Sequence, residues 1–442
     1  MKKYFILAAV ALFAACTSDD ITGQGPEQNE RLPLNIGTAY NPGKSVMTRS
    51  TQNDLQSKKI ENGTEVGLFV FEEGNTAITT TPSALDYEFF NEQLKYVNVT
   101  TISTVDYTDL TPYNTSNKLV YPSDKTQGID LYAYAPYNST YAPSGSDIDC
   151  STVPANKVTL AILQDQKTDA NYNKSDILWG CVGNGAKGKT IETAANAGDG
   201  SYPYGFSGVP GATVNGTNYI AAKGGTTTSG YISSGTTAGS VIIPMLHKAS
   251  KIVVQLSASG MALDKLEGAK VTVFTPSLSS TLDIATGALD KVSGASTVEV
   301  TMTEKLGWKS DETAALTIAD VTTAADNDGS KGIIVDDPDP SNLSRKITKY
   351  VCSAIIMPQD LAADADLLKI YMRDGTLPAV YNTTYKYSLP NPLPSGLAEF
   401  ESGKVYTFDI TVTASGLSVT ATVQDWVDAT SGTPISGNAV LQ

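Results

Sequence analysis

Two runs of alternating apolar residues near the C-terminus constrain the fold more than any other feature of this sequence. In KVYTFDITVT, residues 404–413, alternate side chains are apolar, and LSVTATVQDW, residues 417–426, repeats the alternation after Ala414, Ser415 and Gly416. A two-residue period places alternate side chains on one face of a strand, so the pattern predicts an antiparallel β-hairpin. Long apolar stripes of helical period are almost absent from the chain. The sequence therefore predicts an all-β protein.

Further strands are expected along the chain, at EVGLFVF (65–71), ASKIVVQLSA (249–258), AKVTVFTP (269–276) and YVCSAIIMPQ (350–359). GIDLYAYAPY, residues 128–137, is apolar on both faces, which is typical of a central strand. A Gly-, Thr- and Ser-rich stretch from about Gly183 to Ser240 is expected to be a long loop region, with a domain boundary near its end. We therefore predict two Greek-key-like β-sandwich domains in tandem with long loops, at residues 50–240 and 241–442.

The N-terminus, MKKYFILAAVALFAACTSDD, has the charge layout of an export signal, because two lysines precede a short apolar run. Small residues immediately before Cys16 fit a bacterial lipobox, in which that cysteine is acylated and becomes the first residue. We therefore predict a lipoprotein signal peptide at residues 1–15, lipidation at Cys16 and a lipid anchor in the outer membrane. Residues 16–49 are then expected to form an N-terminal propeptide.

Composition excludes several classes of partner. Charged residues make up 17% of the 442 residues, and the net charge is −15. Such an acidic surface argues against nucleic acid and anionic headgroups as partners. Besides Cys16, the sequence contains Cys150, Cys181 and Cys352, an odd number that implies no closed disulfide framework. A Cys150–Cys181 bridge and buried free thiols both remain open.

The sequence contains no convincing set of catalytic residues. Its single histidine, His247, precedes a predicted strand and is paired with no nucleophile in the sequence. No Gly-x-Ser-x-Gly motif lies on a strand-to-helix turn. Aspartates between 326 and 339 could hold calcium, but turn chemistry explains Asp-Gly and Asp-Pro without a metal. We therefore expect a protein that is not an enzyme and has no cofactor or metal.

The segment before Arg49 has the pattern of a short strand. Leu32, Leu34 and Ile36 alternate, so one face of RLPLNIGTAY is apolar and could fill a groove as a plug strand. Between this strand and Arg49, the turn-rich NPGKSVMT is the kind of exposed loop that proteases reach.

Pieces of sequence spread along the chain resemble the fimbrillin-type pilins of Bacteroidales, the subunits of type V pili. They are the lipobox with Cys16, MTRS at 47–50, VGLFVF at 66–71, LYAYAPY at 131–137, SDILWG at 175–180, LHKASKIVV at 246–254, AIIMPQ at 354–359 and SGKVYTFDITVTASGLSVTATVQDW at 402–426. The acidic residues after Cys16 also resemble the export tag of surface lipoproteins in the Bacteroides group.

This resemblance implies a mechanism of assembly. An Arg-specific surface protease would cut between Arg49 and Ser50 and release the plug strand. A strand from another subunit would then fill the open groove, and the chain would join other pilin subunits, both copies of itself and minor pilins, in a fimbrium on the cell surface. Cutting at Arg31 instead would leave the plug attached.

The C-terminus carries the candidate donor strand. TPISGNAVLQ, residues 433–442, also steps by two, with Ile435, Ala439 and Leu441 on one side. Such a short strand with small side chains buries little apolar surface, so we expect the donor to include part of the preceding run, with Leu417, Val419 and Val423.

Two alternative functions remain. One is a tip or accessory adhesin of the same pilus, with ligand-binding loops in the Gly-rich stretch. The other is a glycan-binding surface lipoprotein.

Overall fold

The computed structural model describes residues 35–40, 64–72, 77–79, 89–102, 105–115, 119, 128–139, 147–149, 157–182, 222–223, 232–234, 237–284, 287–295, 297–303, 315–322, 327, 331–337, 339, 341–342, 344–374, 380–394, 396–425 and 433–440. Among these, strands predominate and helices are few, so the predicted all-β class is confirmed. The finer prediction of two Greek-key-like sandwiches in tandem stays a prediction.

The strands of the first part of the chain are β1 (Asn35–Tyr40), β2 (Glu65–Glu72), β3 (Ala77–Thr79), β4 (Phe89–Ile102), β5 (Val105–Pro112), β6 (Gly128–Ala135), β7 (Asp147–Asp149), β8 (Lys157–Ala161), β9 (Leu178–Val182), β10 (Ala222–Lys223), β11 (Ile232–Ser234) and β12 (Thr237–His247). The second part contains β13 (Ser250–Ala258), β14 (Lys270–Thr275), β15 (Ser279–Asp283), β16 (Val298–Thr301), β17 (Ile333–Val335), β18 (Ile347–Ile356), β19 (Gln359–Asp360), β20 (Asp366–Asp374), β21 (Val380–Ser388), β22 (Glu399–Phe400), β23 (Lys404–Thr413), β24 (Gly416–Asp425) and β25 (Thr433–Val440).

Helical structure is limited to short pieces within the described ranges. The α-helix α1 spans Asp169–Lys174, and the Thr168 side chain caps it by accepting a hydrogen bond from the Asn171 N–H. Two 3-10 turns lie at Leu263–Leu266 and Ile318–Asp320. None of the helices in the described residues has the length and apolar character needed to cross a membrane.

A nine-stranded sheet forms most of the first part of the molecule, and it closes on itself. Its strands follow the order β1-β5-β4-β2-β6-β9-β12-β11, with β10 paired to β6. β1 also pairs with β12, so β1, β5, β4, β2, β6, β9 and β12 form a closed circuit. β1 is antiparallel to β5 and parallel to β12. The N-terminal strand is therefore the link that closes this sheet.

The second part is built on a six-stranded sheet, β17-β18-β13-β23-β24-β25, and a four-stranded sheet, β16-β14-β20-β21. Apolar residues of both sheets belong to one core, and the rings of Tyr387 (β21) and Phe408 (β23) meet edge to face at 6.3 Å. The predicted C-terminal hairpin is confirmed: β23 and β24 pair in register, with Phe408 opposite Ala421 and Ile410 opposite Val419.

The strand predicted to be central, β6, lies between β2 and β9. Its residues from Leu131 to Ala135 are all buried. Tyr132 and Tyr134 on one face join the core that continues into the C-terminal sheets, whereas Leu131 and Ala133 point to the other face. The apolar run in the sequence is unbroken because both faces of β6 are buried.

The predicted domain division stays a prediction, and the structure shows only where the chain passes from the first sheet to the second. A boundary after residue 240 falls inside β12, which continues in the nine-stranded sheet to His247. Lys248 and Ala249 then connect β12 directly to β13 of the six-stranded sheet. Most of the Gly-rich stretch, including residues 183–221, lies outside the described residues.

Candidate functional site

The candidate site is the slot between β5 and β12 that β1 occupies. Six residues of β1 pair with Ser240–Met245 of β12, and four of them also pair with Tyr107–Leu110 of β5. Since β1 belongs to the segment before Arg49, the closed sheet depends on a strand from the predicted propeptide.

Ile36 anchors β1 in this slot. Its exposed fraction is 2%, and it lies opposite Leu110 on one side and Val241 on the other. Residues opposite one another in a ladder share a face of the sheet, so the registers around the circuit place Ile36 on the enclosed face. The buried residues on this face include Ile36, Val66, Leu68, Leu110, Leu131, Ile243 and Met245. Burying an isoleucine side chain contributes about 1.5–3 kcal/mol.

Loss of β1 would expose both walls of the slot. β5 and β12 would each keep a partner on one side and lose the ladder on the other. Unpaired strand edges are templates for another extended segment, and the Ile36 position would be an apolar depression between them. The geometry therefore suits an incoming strand.

The predicted plug strand is located in part. Ile36 is in β1 and buried, whereas Leu32 and Leu34 lie outside the described residues, as do Cys16, Arg49 and Ser50. The described strand also continues to Tyr40, beyond the residues singled out from the sequence. Ile36, Thr38 and Tyr40 are residue types enriched in strands and lie at alternate positions, and they were a signal for this continuation. The roles of all these residues stay predictions.

The predicted donor residues fall on two different strands. Leu417 and Val419 of β24 are buried in the core of their own chain, with Val423 packed against it, and β24 lies between β23 and β25. β25 carries Ile435 and Ala439 and is the edge strand of the six-stranded sheet, paired antiparallel with β24. Leu441 lies outside the described residues. Within the six-stranded sheet, β25 is therefore held by one ladder and β24 by two.

His247, the candidate weighed for catalysis, ends β12 and is buried. Its Nδ1 lies 2.9 Å from Oδ1 of Asp176, which is also buried and precedes β9. The pair joins the ends of two neighbouring strands of the closed sheet, since His247 lies opposite Leu178. This placement accounts for the histidine by a structural role.

The aspartates weighed for calcium make turn contacts where they are described. Asp337 accepts hydrogen bonds from the Asn342 side chain at 2.7 Å and from the Asp339 N–H at 2.9 Å. Asp339 accepts from the hydroxyl and N–H of Ser341. These bonds lower the pKa of both carboxyls below the ordinary value of 3.8. The largest contribution comes from the Asn342 side chain at Asp337 and from the Ser341 side chain at Asp339. No metal-binding group of three or more ligand residues occurs in the described part of the chain.

Cys352, in β18, is buried as a thiol, and its sulfur lies 3.7 Å from that of Met302.

Comparison with known proteins assigns the chain to a family. The sequence pattern of the fimbrillin-like family matches residues 48–197 and 193–426. The chain therefore belongs to the fimbrillin-like family, as the sequence pieces predicted. The family is pilus-related and is not a known enzyme family. No curated protein sequence matches the chain.

Several solved structures of bacterial proteins are similar to this chain. A proposed cell-adhesion protein from Bacteroides uniformis has 13% identity and a TM-score of 0.47, covering 90% of this chain and 99% of its own. Another from Bacteroides ovatus has 15% identity and a TM-score of 0.47, covering 90% and 98%. The tip fimbrial protein Mfa3 from Porphyromonas gingivalis, truncated at its C-terminus, has 9% identity and a TM-score of 0.36, covering 89% and 99%.

Proposed function

We propose that this protein is a structural subunit of a surface fimbria that polymerises by strand exchange and supports adhesion. The precursor is exported as a lipoprotein held in the outer membrane through Cys16. An Arg-specific surface protease then cuts between Arg49 and Ser50. Membership of the fimbrillin-like family supports the assembly of this chain with other pilin subunits, both further copies and minor pilins.

The position of β1 is the observation that carries the proposal. β1 ends at Tyr40, ahead of Arg49, and it closes the sheet between β5 and β12. A cut after Arg49 leaves β1 attached only by its two ladders and the buried Ile36, since its covalent link to β2 is broken. The same strand can then leave without unfolding the rest of the sheet.

β25 is the donor in this proposal. In its own chain β25 pairs with β24 on one side, whereas in the slot it would pair with β5 and β12 on both sides. Its eight residues are enough to replace the six of β1. The second ladder supplies the driving force that small side chains alone do not, because main-chain hydrogen bonds carry much of the binding in strand addition.

Donation from β25 leaves the core of the donor subunit largely in place. β24 would become the new edge of the six-stranded sheet, while Leu417 and Val419 stay buried within it. Donation by β24 itself would remove both residues from that core. The structure therefore favours a donor confined to β25 and the residues after it.

The proposal is tested by N-terminal sequencing of fimbriae sheared from cells. Mature subunits are expected to begin at Ser50, and Arg49→Ala is expected to abolish polymer while the lipidated precursor accumulates. Arg31→Ala is the matched control and should assemble normally. Fibres built from subunits that retain Cys16 or β1 would refute the mechanism.

Deletion of residues 433–442 separates the stalk role from the alternatives. A stalk subunit loses polymerisation, whereas continued incorporation would contradict donation and favour a tip adhesin. Saturable binding on a glycan array together with no polymer by electron microscopy would instead favour a glycan-binding lipoprotein.

A further inference from the structure

The segment from Lys157 to Trp179 leaves the nine-stranded sheet and returns to it, and between these points it binds the C-terminal sheets. Its strand β8 pairs with β15, with Leu160 opposite Ser280, and not with β6 or β9 of the nine-stranded sheet. Ile162 N–H then donates to the Leu278 carbonyl at 2.8 Å. The segment ends in β9, which lies between β6 and β12. We call residues 157–179 the brace.

Gln166 fixes the brace to the six-stranded sheet by a buried amide. Its exposed fraction is 0%. Its Nε2 donates to the carbonyls of Ile355 (2.8 Å) and Leu163 (2.9 Å), and its Oε1 accepts from the Ile355 N–H at 2.8 Å. Ile355 belongs to the part of β18 beyond its pairing with β17, so this side chain takes the place of a neighbouring strand. A buried amide with these partners is satisfied, and its loss would leave the backbone groups of Ile355 without bonds.

The main chain beside Gln166 extends the four-stranded sheet. Gln166 N–H donates to the Thr301 carbonyl at 3.0 Å, and Thr301 N–H donates to the Gln164 carbonyl at 2.8 Å. Thr301 ends β16, the edge strand of that sheet. The brace thus covers one sheet edge and binds the neighbouring sheet through the same residue.

Trp179 forms the opposite end of the brace. Its indole N–H donates to the Ile284 carbonyl at 2.8 Å, and the side chain is fully buried. Gly287 lies against the ring so closely that a Cβ atom there would be 2.3 Å from it. Trp179 lies opposite Leu246 of β12, so this contact ties the turn after β15 to a wall of the slot.

We propose that the brace makes the closed sheet and the two C-terminal sheets one cooperative unit, with fixed geometry between the slot and β25. Without it, the covalent connection from β12 to β13 is the two-residue link Lys248–Ala249, and the remaining joint between the sheets is the shared core that includes Phe69, Tyr132 and Tyr134. In a fibre, tension would be transmitted through each subunit from the slot to β25, so the brace would keep successive subunits in one orientation. That last role rests on the proposed function; the cooperative unit does not.

Calorimetric unfolding of the full chain tests the proposal without any polymer. The wild-type protein is expected to unfold in a single transition. Gln166→Leu is expected to split it into two, the first lowered by about 5 °C or more. Gln164→Leu is the matched control, since that exposed side chain makes one bond, to the Glu299 carbonyl, and should leave a single transition.

Gly287→Ala provides a second, independent test. Gly287 and Gly260 share a positive φ, +67° and +70°, but no atom lies within 4 Å of a Cβ at Gly260. Both changes carry the same backbone strain, but only Gly287→Ala also places a Cβ atom against the Trp179 ring. Only Gly287→Ala should therefore split the unfolding transition and broaden the distribution of molecular dimensions in small-angle scattering. Two transitions in the wild type, or a single transition in both Gln166→Leu and Gly287→Ala, would overturn the brace. Neither result depends on whether fibres form.

Discussion

Ile36 lies opposite Leu110 across the antiparallel ladder between β1 and β5, and both side chains are buried on the enclosed face of the nine-stranded sheet. Ile36 precedes the predicted cut at Arg49, whereas Leu110 belongs to the part of the chain that stays. This contact therefore joins the segment that the proposed cut would remove to one wall of the slot.

Truncating the Ile36 side chain should lower the stability of the precursor and leave that of the processed subunit unchanged. Ile36→Ala is expected to lower the free energy of unfolding of the precursor by about 2–5 kcal/mol and Ile36→Val by about 0.5–1.5 kcal/mol. Urea denaturation of the uncut chain measures both. Fibres assembled from the Ile36→Ala chain should match the wild type, because the proposed cut removes β1 before assembly; an unchanged precursor stability would argue against anchoring by Ile36.

The donor strand should depend on alternate residues. Ile435 lies opposite Ala421 in the register of β25 with β24, and its neighbour Ser436 lies opposite Thr420. We expect Ile435→Ala to weaken subunit association about 10-fold or more, because it loses an apolar anchor. Ser436→Ala is the matched control and should assemble at the wild-type rate. Light scattering of processed subunits follows assembly, and equal rates for the two variants would contradict Ile435 as an apolar anchor of the donor strand.

Acid should loosen the brace at Asp290. The Lys157 ammonium lies 2.6 Å from the Asp290 carboxylate, which also accepts from the Thr281 hydroxyl at 2.5 Å. The hydrogen bond from Lys157, followed by that from Thr281, lowers the pKa of Asp290 below the ordinary 3.8. A lowered folded-state pKa stabilises the fold above the unfolded-state pKa, and this contribution is lost as pH falls through the folded value.

Thermal unfolding between neutral pH and pH 2 checks this sign. Asp290→Asn should be less stable than the wild type near neutral pH, and the difference should shrink as the wild-type carboxyl is protonated. Asp360, an exposed aspartate that bonds Lys291 at 3.0 Å, offers Asp360→Asn as a control with little expected effect. A constant difference across the acid range would contradict the assignment to Asp290.

Alkali should destabilise the C-terminal core through its tyrosines. Burial raises the pKa of Tyr350, in β18, and of Tyr406, in β23, to about 12 from the ordinary 10.0. Because the unfolded chain ionises first, this stability is present below pH 10 and is lost as pH rises toward 12. Tyr350→Phe should reduce this loss of stability at high pH and change the stability little at neutral pH.

Tyr406→Phe should behave differently. The Tyr406 hydroxyl accepts a hydrogen bond from the Glu401 N–H at 2.8 Å, so its removal also costs about 1 kcal/mol at neutral pH. Denaturant unfolding at pH 7 and pH 11 separates the two variants. Equal stability losses for both at pH 7 would show that the Glu401 bond contributes nothing.

Several features of this protein follow from the sequence by itself. Alternation predicted the β23–β24 hairpin and its turn, because side-chain period and turn chemistry are local properties. The apolar run of β6 predicted a strand covered on both faces. The apolar alternation around Ile36 predicted a strand ahead of Arg49, and short stretches of sequence spread along the chain indicated the family that the comparison confirmed.

Only the tertiary structure decided which strands become neighbours. The parallel pairing of β1 with β12 joins residues about 200 positions apart, and no local pattern specifies such a partner. The burial of Gln166 and the pairing of β8 with β15 are decided in the same way, since a glutamine and a short strand fit exposed and buried sites alike until the surrounding sheets are in place. Local chemistry therefore determined the strands, and long-range packing determined the slot and the brace.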